Sequence, residues 1–204
     1  MPGLRRKLLQ ALPVVQLSGR LVLRYHAPTP KTRVSRLADG PPFWAYLWPG
    51  GAALIAHIEA RPETVPGLRV LDLGAGCGLV GIAAAKTGAG SVIASETDPV
   101  AQEVLSLNDA ENGVSLTLVG DLLNRAVPPV DLIVVGDLFY DPDVAARVIA
   151  FLTRAKAIPV LVGDIGRATL PVDRLEPLAP YPVRDVGEAM TQPHRPGTVF
   201  RFRQ

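Results

Sequence analysis

Apolar and polar residues follow two different periods along the second half of the chain. Short apolar runs bounded by Gly, Asp or Glu predict buried strands at Leu68–Leu73, Ser91–Ser95, Leu116–Val119, Asp131–Gly136 and Ile158–Gly163. Between these runs the apolar residues recur at helical spacing, and this predicts helices at Leu79–Lys86, Pro99–Asn112 and Pro142–Arg154. Regular alternation of strand and helix is typical of a parallel sheet with right-handed crossovers.

The two ends of the chain differ from this pattern. Near the C-terminus, Tyr181–Val186 and Thr198–Phe202 are strand-like runs without a helix between them, which predicts a closing antiparallel hairpin. At the start, Gln10 and Pro13 interrupt an apolar run that follows basic residues, so we expect an amphipathic helix rather than a signal peptide. The predicted fold is α/β, a Rossmann-like mixed sheet of seven strands with helices on both faces. We expect one domain, with residues 1–60 as a substrate-facing cap and residues 61–204 as the cofactor-binding core.

Composition narrows the functional classes. A chain of 204 residues that is 48% apolar can bury a substantial core without disulfides. A net charge of +2 gives no strong attraction to nucleic acid or membranes, and no apolar run reaches transmembrane length. The single cysteine, Cys77, fits a reducing compartment, and the three histidines lack the spacing of metal ligands. We therefore expect a cytoplasmic monomer with no metal and no nucleic-acid or membrane partner.

A glycine-rich loop lies between the first predicted strand and its helix. Gly74, Gly76 and Gly78 allow a sharp turn and a close approach to a ligand at the helix N-terminus. The stretch Gly76–Gly81 also fits the dinucleotide pattern G-x-G-x-x-G, so the glycines alone leave two ligand classes open. Asp72 favours a ligand with a cationic group over a dinucleotide. A carboxylate there would repel a pyrophosphate, whereas its attraction to a cationic amino group is about 4 kcal/mol in a partly dry site. S-adenosylmethionine carries such a group.

Three motifs in order make the chain resemble the seven-stranded S-adenosylmethionine-dependent methyltransferases. Asp72-x-Gly74-x-Gly76-x-Gly78 matches the first motif of that family, Glu96 matches its ribose-binding acid, and Asp121 matches its adenine-proximal acid. The resemblance implies S-adenosylmethionine as cofactor and S-adenosylhomocysteine as product. The cofactor-binding residues that we infer are Trp48, Asp72, Gly74, Gly76, Gly78, Glu96, Thr97, Asp121, Leu122 and Gly136.

Further segments carry a narrower resemblance. The aromatic stretch from Pro41 to Gly51, the motif Asp137-x-x-Tyr140 and the stretch from Gly163 to Arg167 are similar to protein-lysine methyltransferases of the family that includes the electron transfer flavoprotein β-subunit lysine methyltransferase. This resemblance implies a protein-lysine N-methyltransferase that acts on the β subunit of electron transfer flavoprotein, or else on a ribosomal protein.

The chemistry of amine methylation fits these residues. A lysine must lose its proton before its nitrogen attacks, so the site needs an apolar slot and a group that orients the amine. We assign Asp137 and Tyr140 as catalytic: Asp137 accepts a hydrogen bond from the amine, and Tyr140 forms a wall of the slot. Residues assigned to substrate contact are Trp44, Tyr46, Phe139 and Arg167.

Simpler structural interpretations stay open for the same residues. Asp137 could cap the turn before Pro142, although Asp141 is the better candidate for that cap. The aromatic stretch could be an ordinary hydrophobic cover of the sheet. Arg167 either contacts an acidic protein surface or pairs with Asp164.

Other functions compete with lysine methylation. They are methylation of a ribosomal protein or of a small-molecule nitrogen, a nicotinamide-dependent oxidoreductase, and a binding module that keeps the pocket without catalysis. Binding of S-adenosylhomocysteine without binding of NAD or NADP would exclude the oxidoreductase.

Overall fold

The N-terminal part of the chain forms a small layer of its own. The computed structural model describes residues 2–17, 19–187, 191 and 193–204. Helix α1 (Pro2–Ala11) is followed by an antiparallel hairpin of strands β1 (Val14–Leu17) and β2 (Leu23–His26). Helix α2 (Pro49–Ala60) then leads into the main sheet. The predicted N-terminal helix is confirmed, whereas the hairpin and α2 were not foreseen.

A seven-stranded mixed sheet forms the centre of the molecule, in the order β5-β4-β3-β6-β7-β9-β8. Five strands are parallel and β9 runs antiparallel to both β7 and β8. The strands are β3 (Arg69–Leu73), β4 (Ser91–Ser95), β5 (Thr117–Val119), β6 (Leu132–Gly136), β7 (Val160–Asp164), β8 (Leu175–Val183) and β9 (Arg195–Phe202). The helices between them are α3 (Leu79–Lys86), α4 (Pro99–Asn112) and α5 (Pro142–Arg154). The predicted fold class, the bounds of these three helices and the closing hairpin are confirmed.

Helices cover both faces of this sheet, as its alternating side chains require. On β3, Val70 packs into the cluster that holds residues of α1 to α4, and Leu71 and Leu73 pack into the cluster that holds Phe151 of α5. Asp72 alternates with Leu71 and Leu73, so its side chain lies on the Val70 face, beneath α3.

Strand β8 differs from the prediction in both bounds. It begins at Leu175 rather than Tyr181 and ends at Val183 rather than Val186. The strand contains three prolines, Pro177, Pro180 and Pro182, and proline has a low strand propensity, so the sequence did not predict its full length. An outermost strand tolerates proline because only one of its sides is paired.

Helix α2 contacts the sheet backbone to backbone. An ideal Cβ on Gly50 would lie well inside contact distance of the Gly163 carbonyl oxygen, and one on Gly136 would lie 3.1 Å from Gly51 Cα. Glycine at these positions lets the N-terminus of α2 approach the ends of β6 and β7. The last part of the predicted cap thus lies in the helical layer of the core.

Among the residues that the structure describes, no helix is long and apolar enough to cross a membrane.

Candidate active site

The site is a cavity of about 400 Å³ at the carboxyl ends of the parallel strands. The strand order reverses direction between β3 and β6, so the loops that follow these two strands diverge and leave a crevice. Cavities of this size hold small-molecule ligands and cofactors. Most of the predicted site residues line it: Trp44, Trp48, Gly74, Gly76, Glu96, Thr97, Asp121, Gly136, Asp137, Tyr140 and Arg167.

Glu96 connects two loops on the β3–β4 side of the cavity. Its Oε2 accepts a hydrogen bond from the Gly76 N–H at 2.8 Å, and its Oε1 accepts from Thr97 N at 2.6 Å and Asp98 N at 2.9 Å. Each carboxylate oxygen has two lone pairs, so acceptor capacity remains for ligand hydroxyl groups. The backbone therefore holds Glu96 in a fixed position at the cavity wall.

Asp121 occupies the far end of the same side, after β5. Its Oδ1 accepts from Leu123 N at 2.8 Å, and its Oδ2 forms an ion pair of 2.6 Å with Arg147 from α5. Both side chains are about four-tenths exposed, so the pair contributes little to stability. Arg147 and Leu123 line the cavity and were missed, because a long-range contact between a loop and α5 leaves no trace in local sequence pattern.

Asp137 is the buried carboxylate of the other side, directly after β6. Asp137 is 8% exposed. Its backbone φ is +53°, a left-handed conformation that Asp tolerates better than most residues. The backbone N–H donates to Gly163 O at 3.1 Å. The side-chain Oδ2 accepts from Gly51 N in the first turn of α2 at 3.0 Å. The glycine contact between α2 and the sheet thus positions a helix N-terminus on this carboxylate.

Arg167 completes the surroundings of Asp137. Its Nη2 donates to Asp137 Oδ1 at 2.8 Å, and the two side chains are 23% and 7% exposed. Burial raises the pKa of the Asp137 carboxyl, and the nearby charge of Asp164 raises it too. The hydrogen bond and charge of Arg167 and the Gly51 N–H oppose that rise in pKa, because they stabilise the ionised form.

Aromatic rings border the cavity next to this ion pair. The Phe43 ring lies 4.9 Å from the Tyr140 ring and 5.9 Å from the Trp48 ring, between centroids. Trp48 Nε1 donates to Phe43 O at 2.7 Å, and Arg167 Cζ lies 5.8 Å from the Trp48 ring centroid. Phe43 and Tyr140 are both exposed, at 42% and 45%. The site therefore presents an open aromatic wall to solvent, with Phe43 as a member that the sequence analysis missed.

Two residues of the glycine motif do not line the cavity. Asp72 is 2% exposed, and its Oδ2 accepts from Gly81 N at 2.8 Å inside α3. Burial raises the pKa of Asp72 to about 7. The expected side-chain position, facing the loop, is corrected by strand alternation, which turns Asp72 under the helix. Gly78 lies at φ +80° before α3, where a Cβ would collide with Leu105, so its role is to form the turn.

Three further predicted site residues do not line the cavity. Leu122 packs into the core beside α5, and Leu123 lines the cavity instead. Phe139 is fully buried in the same cluster and cannot contact a substrate, whereas its neighbour Leu138 lines the cavity. Tyr46 lies outside the lining, with its ring 6.2 Å from that of Trp48.

The simpler interpretations divide in the same way. Asp141 caps α5 by accepting from Asp143 N and Val144 N, so the cap interpretation of Asp137 is wrong. Arg167 pairs with Asp137 rather than with Asp164.

Cys77 is buried, and burial raises the pKa of its thiol to about 12, which makes it a poor nucleophile. Within the described ranges, no three His, Cys, Asp or Glu side chains are grouped to hold a metal ion.

Comparison with known proteins gives a family match that spans most of this site. The family described as lysine methyltransferase matches residues 44–162, which include α2, the glycine loop, Glu96 and Asp137. The chain belongs to the lysine methyltransferase family. That predicted membership is confirmed, and with it the prediction of a methyltransferase.

Individual relatives of the family are similar over much of the chain. The electron transfer flavoprotein beta subunit lysine methyltransferase of Xenopus laevis is 41% identical over 172 residues, which are 80% of this chain and 70% of that protein. The protein of the same name from Rattus norvegicus is 42% identical over 131 residues, 62% of this chain. The chain spans about half the length of the rat relative, 51%.

A solved structure supports the fold. The magnesium protoporphyrin IX methyltransferase from Synechocystis, crystallised with bound S-adenosylmethionine, superposes with a TM-score of 0.57 at 16% identity, and the match covers 76% of this chain and 78% of that one. The predicted S-adenosylmethionine-dependent methyltransferase fold is confirmed.

Proposed function

We propose that this protein transfers a methyl group from S-adenosylmethionine to a lysine side chain of the electron transfer flavoprotein β subunit. The observation that carries the proposal is the buried carboxylate of Asp137, which faces the same cavity as the glycine loop and the aromatic wall. The substrate is suggested by the names of the frog and rat relatives.

The cavity fits the proposed cofactor in size and in polar groups. Only one atom, Phe43 O at 4.0 Å, lies near an ideal Cβ on Gly76, so this part of the loop leaves open space for a ligand. Glu96 would accept hydrogen bonds from ribose hydroxyls, and Asp121 would accept from an adenine amino group. Trp44 lines the cavity, and its Nε1 is a buried donor without a partner among the described residues.

When bound, S-adenosylmethionine would supply its sulfonium methyl group: the neutral amine nitrogen would attack the methyl carbon, the N–C bond would form as the C–S bond breaks, S-adenosylhomocysteine would leave, and the positive charge would move to nitrogen. The residues of the chain act on the amine. Asp137 accepts a hydrogen bond from it and stabilises the ammonium that develops. The rings of Phe43, Trp48 and Tyr140 exclude water and favour a cation over their faces. Positioning supplies much of the acceleration.

The carboxylate indicates a basic amine rather than an amide. A planar amide or adenine amino group is bound by matched amide donors and acceptors, whereas Asp137 offers acceptors and negative charge. An alkyl ammonium has a pKa of about 10.4 and stays protonated in water at pH 7. Burial in a slot walled by apolar rings lowers that pKa and the Asp137 carboxylate raises it, so the amine must give up its proton before its nitrogen attacks.

The decisive experiment uses labelled S-adenosylmethionine with three acceptors in parallel: purified electron transfer flavoprotein, a ribosomal protein fraction and total RNA. We expect label on the flavoprotein β subunit, with mass spectrometry locating added methyl groups on lysine. Isothermal titration with S-adenosylhomocysteine, NAD and NADP is the control for the cofactor, and only the first should bind. Label on ribosomal protein or RNA with none on the flavoprotein would contradict the proposed substrate.

A further inference from the structure

Arg167 already makes the two contacts that the proposed function assigns to the substrate amine. Its guanidinium donates to Asp137 Oδ1 and its Cζ lies 5.8 Å from the Trp48 ring centroid. A carboxylate and an aromatic face are the two groups that stabilise a developing ammonium. The arginine and a substrate lysine therefore compete for one position.

A second carboxylate lies next to this pair. Asp164 ends β7 and is fully buried, and its Oδ1 accepts from Gly166 N at 2.7 Å and Arg167 N at 2.8 Å. These two bonds hold the turn that carries Arg167, with Gly166 at φ +88°. Both hydrogen-bond donors to Asp164 Oδ1 therefore come from the local backbone.

The other oxygen of Asp164, Oδ2, has no backbone donor. Across the described part of the chain, Asp164 Oδ2 and Arg167 Nε are both buried without a hydrogen-bond partner. A buried polar atom without a partner costs free energy, so an arrangement that gave a partner to this acceptor and this donor would be favoured. The side chains are near enough for the charge of Arg167 to lower the pKa of Asp164, against the rise that burial causes.

We propose that Asp164 is a positioning residue, which receives the Arg167 guanidinium when a substrate lysine takes the place of Arg167 on Asp137. This inference rests on the proposed function. The exchange frees Asp137 Oδ1 for the amine and pairs Arg167 Nε with Asp164 Oδ2, so that neither cation shares a buried oxygen with the other.

Charge counting supports the exchange. The groups that face one another here are Asp137, Asp164 and Arg167, with Tyr140 after β6 and Glu96 after β4 at the cavity wall, while α2 contributes the Gly51 N–H. With both aspartates ionised, the three charged groups at the centre sum to −1. The methylated ammonium brings this centre to neutrality, whereas with one carboxylate alone the two cations would leave a net charge of +1 in a partly dry site.

The test is a double-mutant cycle on KM for the flavoprotein. Asp164→Asn keeps an oxygen for the two backbone N–H groups but puts an amide NH2, which cannot accept from Arg167, at the second position. We expect KM to rise about tenfold in Asp164→Asn, and to change little when the same substitution is made in the Arg167→Met background, because coupled residues are not additive. Affinity for S-adenosylhomocysteine and the melting temperature should stay close to those of the parent proteins.

The pH profile gives a readout that a merely structural role would not move. In Arg167→Met the amine faces two carboxylates without a competing cation, so its pKa rises. The single-turnover rate should then reach its plateau at a pH higher by about one unit. Arg69→Met and Asp131→Asn, which break an exposed bidentate pair at the other end of β3, are the matched controls and should leave KM and the profile unchanged.

Two outcomes would contradict different claims. If the wild-type enzyme does not methylate the flavoprotein, the proposed function is wrong and this inference fails with it. If the wild-type enzyme does methylate it and Asp164→Asn costs the same in both backgrounds, only the role of Asp164 is wrong. Should Asp164→Asn unfold, nuclear magnetic resonance of the wild-type Arg167 guanidinium replaces it: the resonance must shift on addition of flavoprotein with S-adenosylhomocysteine, and an unchanged resonance overturns the exchange.

Discussion

Glu96 and Asp137 each follow a parallel strand and face one cavity, yet the protein surrounds them in opposite ways. Glu96 is half-buried and accepts three backbone N–H groups. Asp137 is buried and accepts one N–H from a helix and one bond from a guanidinium. The carboxylate of Glu96 is thus held by neutral N–H groups alone, while the Asp137 carboxylate already holds a cation. The difference indicates that substitutions on the two sides will affect different steps.

Gly50→Ala disturbs the close contact between α2 and the sheet, which positions the Gly51 N–H on Asp137. A methyl group there meets the Gly163 carbonyl oxygen, so α2 must move and withdraw the Gly51 N–H from Asp137. We expect a loss of about 3 kcal/mol in the free energy of unfolding, measured by urea denaturation, as for an overpacked core. Gly3→Ala in α1, where a Cβ meets nothing within 4 Å, is the control and should leave stability unchanged or higher. Equal stability of the two variants would show that α2 yields easily.

Asp137→Asn removes the charge and keeps a side chain that tolerates positive φ. We expect the turnover rate to fall by on the order of a hundredfold, because the developing ammonium loses its counter-charge. The dissociation constant for S-adenosylhomocysteine should not change. Asp141→Asn in the same loop keeps a good helix cap and serves as the control. A variant with unchanged turnover per folded molecule would remove Asp137 from the catalytic role.

Asp72→Asn tests the third buried carboxylate, beneath α3. Its pKa of about 7 in the folded protein exceeds that of the unfolded chain, so its contribution to stability is complete below pH 4 and is lost as the pH rises to about 7. Between pH 4.5 and 7.5 we expect the wild-type protein to lose on the order of 2 kcal/mol more than the variant, whose amide does not titrate. Parallel unfolding curves at the two pH values measure this difference. Identical losses would mean that Asp72 titrates normally.

Glu96→Gln should produce the smallest change, at the cofactor side: the amide oxygen can still accept from Thr97 N and Asp98 N, whereas the NH2 group cannot accept from Gly76 N. Loss of charge-assisted hydrogen bonds to ribose hydroxyls raises the dissociation constant of S-adenosylhomocysteine about tenfold. At saturating cofactor the turnover rate should stay near that of the wild-type protein. Calorimetry with saturation kinetics separates the two quantities. A large fall in turnover at saturating cofactor would show that Glu96 affects turnover as Asp137 does.

Periodic segments of the fold could be predicted from the sequence, and segments that depend on distant contacts could not. The bounds of α3, α4, α5 and β4 agree with the prediction because their apolar spacing and caps are local. Helix α2 was missed because Pro49 followed by two glycines is typical of a turn. Those glycines pack closely on the sheet while Leu54, Ile55 and Ile58 are buried in the core, and no local pattern reveals the glycine contact.

The candidate site divides in the same way. Residues that follow directly after strands, such as Gly76, Glu96 and Asp137, were found because parallel strands bring their ends together. Phe139 was misplaced by one position relative to Leu138, since a loop has no period that says which side chain turns inward. Asp164 was considered only as a possible partner of Arg167, because its unpartnered oxygen depends on the packing around it and not on the local sequence.

The prolines of β8 have a consequence for self-association. Strand β8 is one border of the sheet, and in a border strand proline is placed where its missing N–H would have pointed outward. Pro180 and Pro182, two residues apart, leave that border with two successive gaps in its row of donors. The opposite border, β5, offers only three residues. Neither border therefore provides a template on which a strand from another molecule could be added, which protects the concentrated protein from aggregation through its sheet.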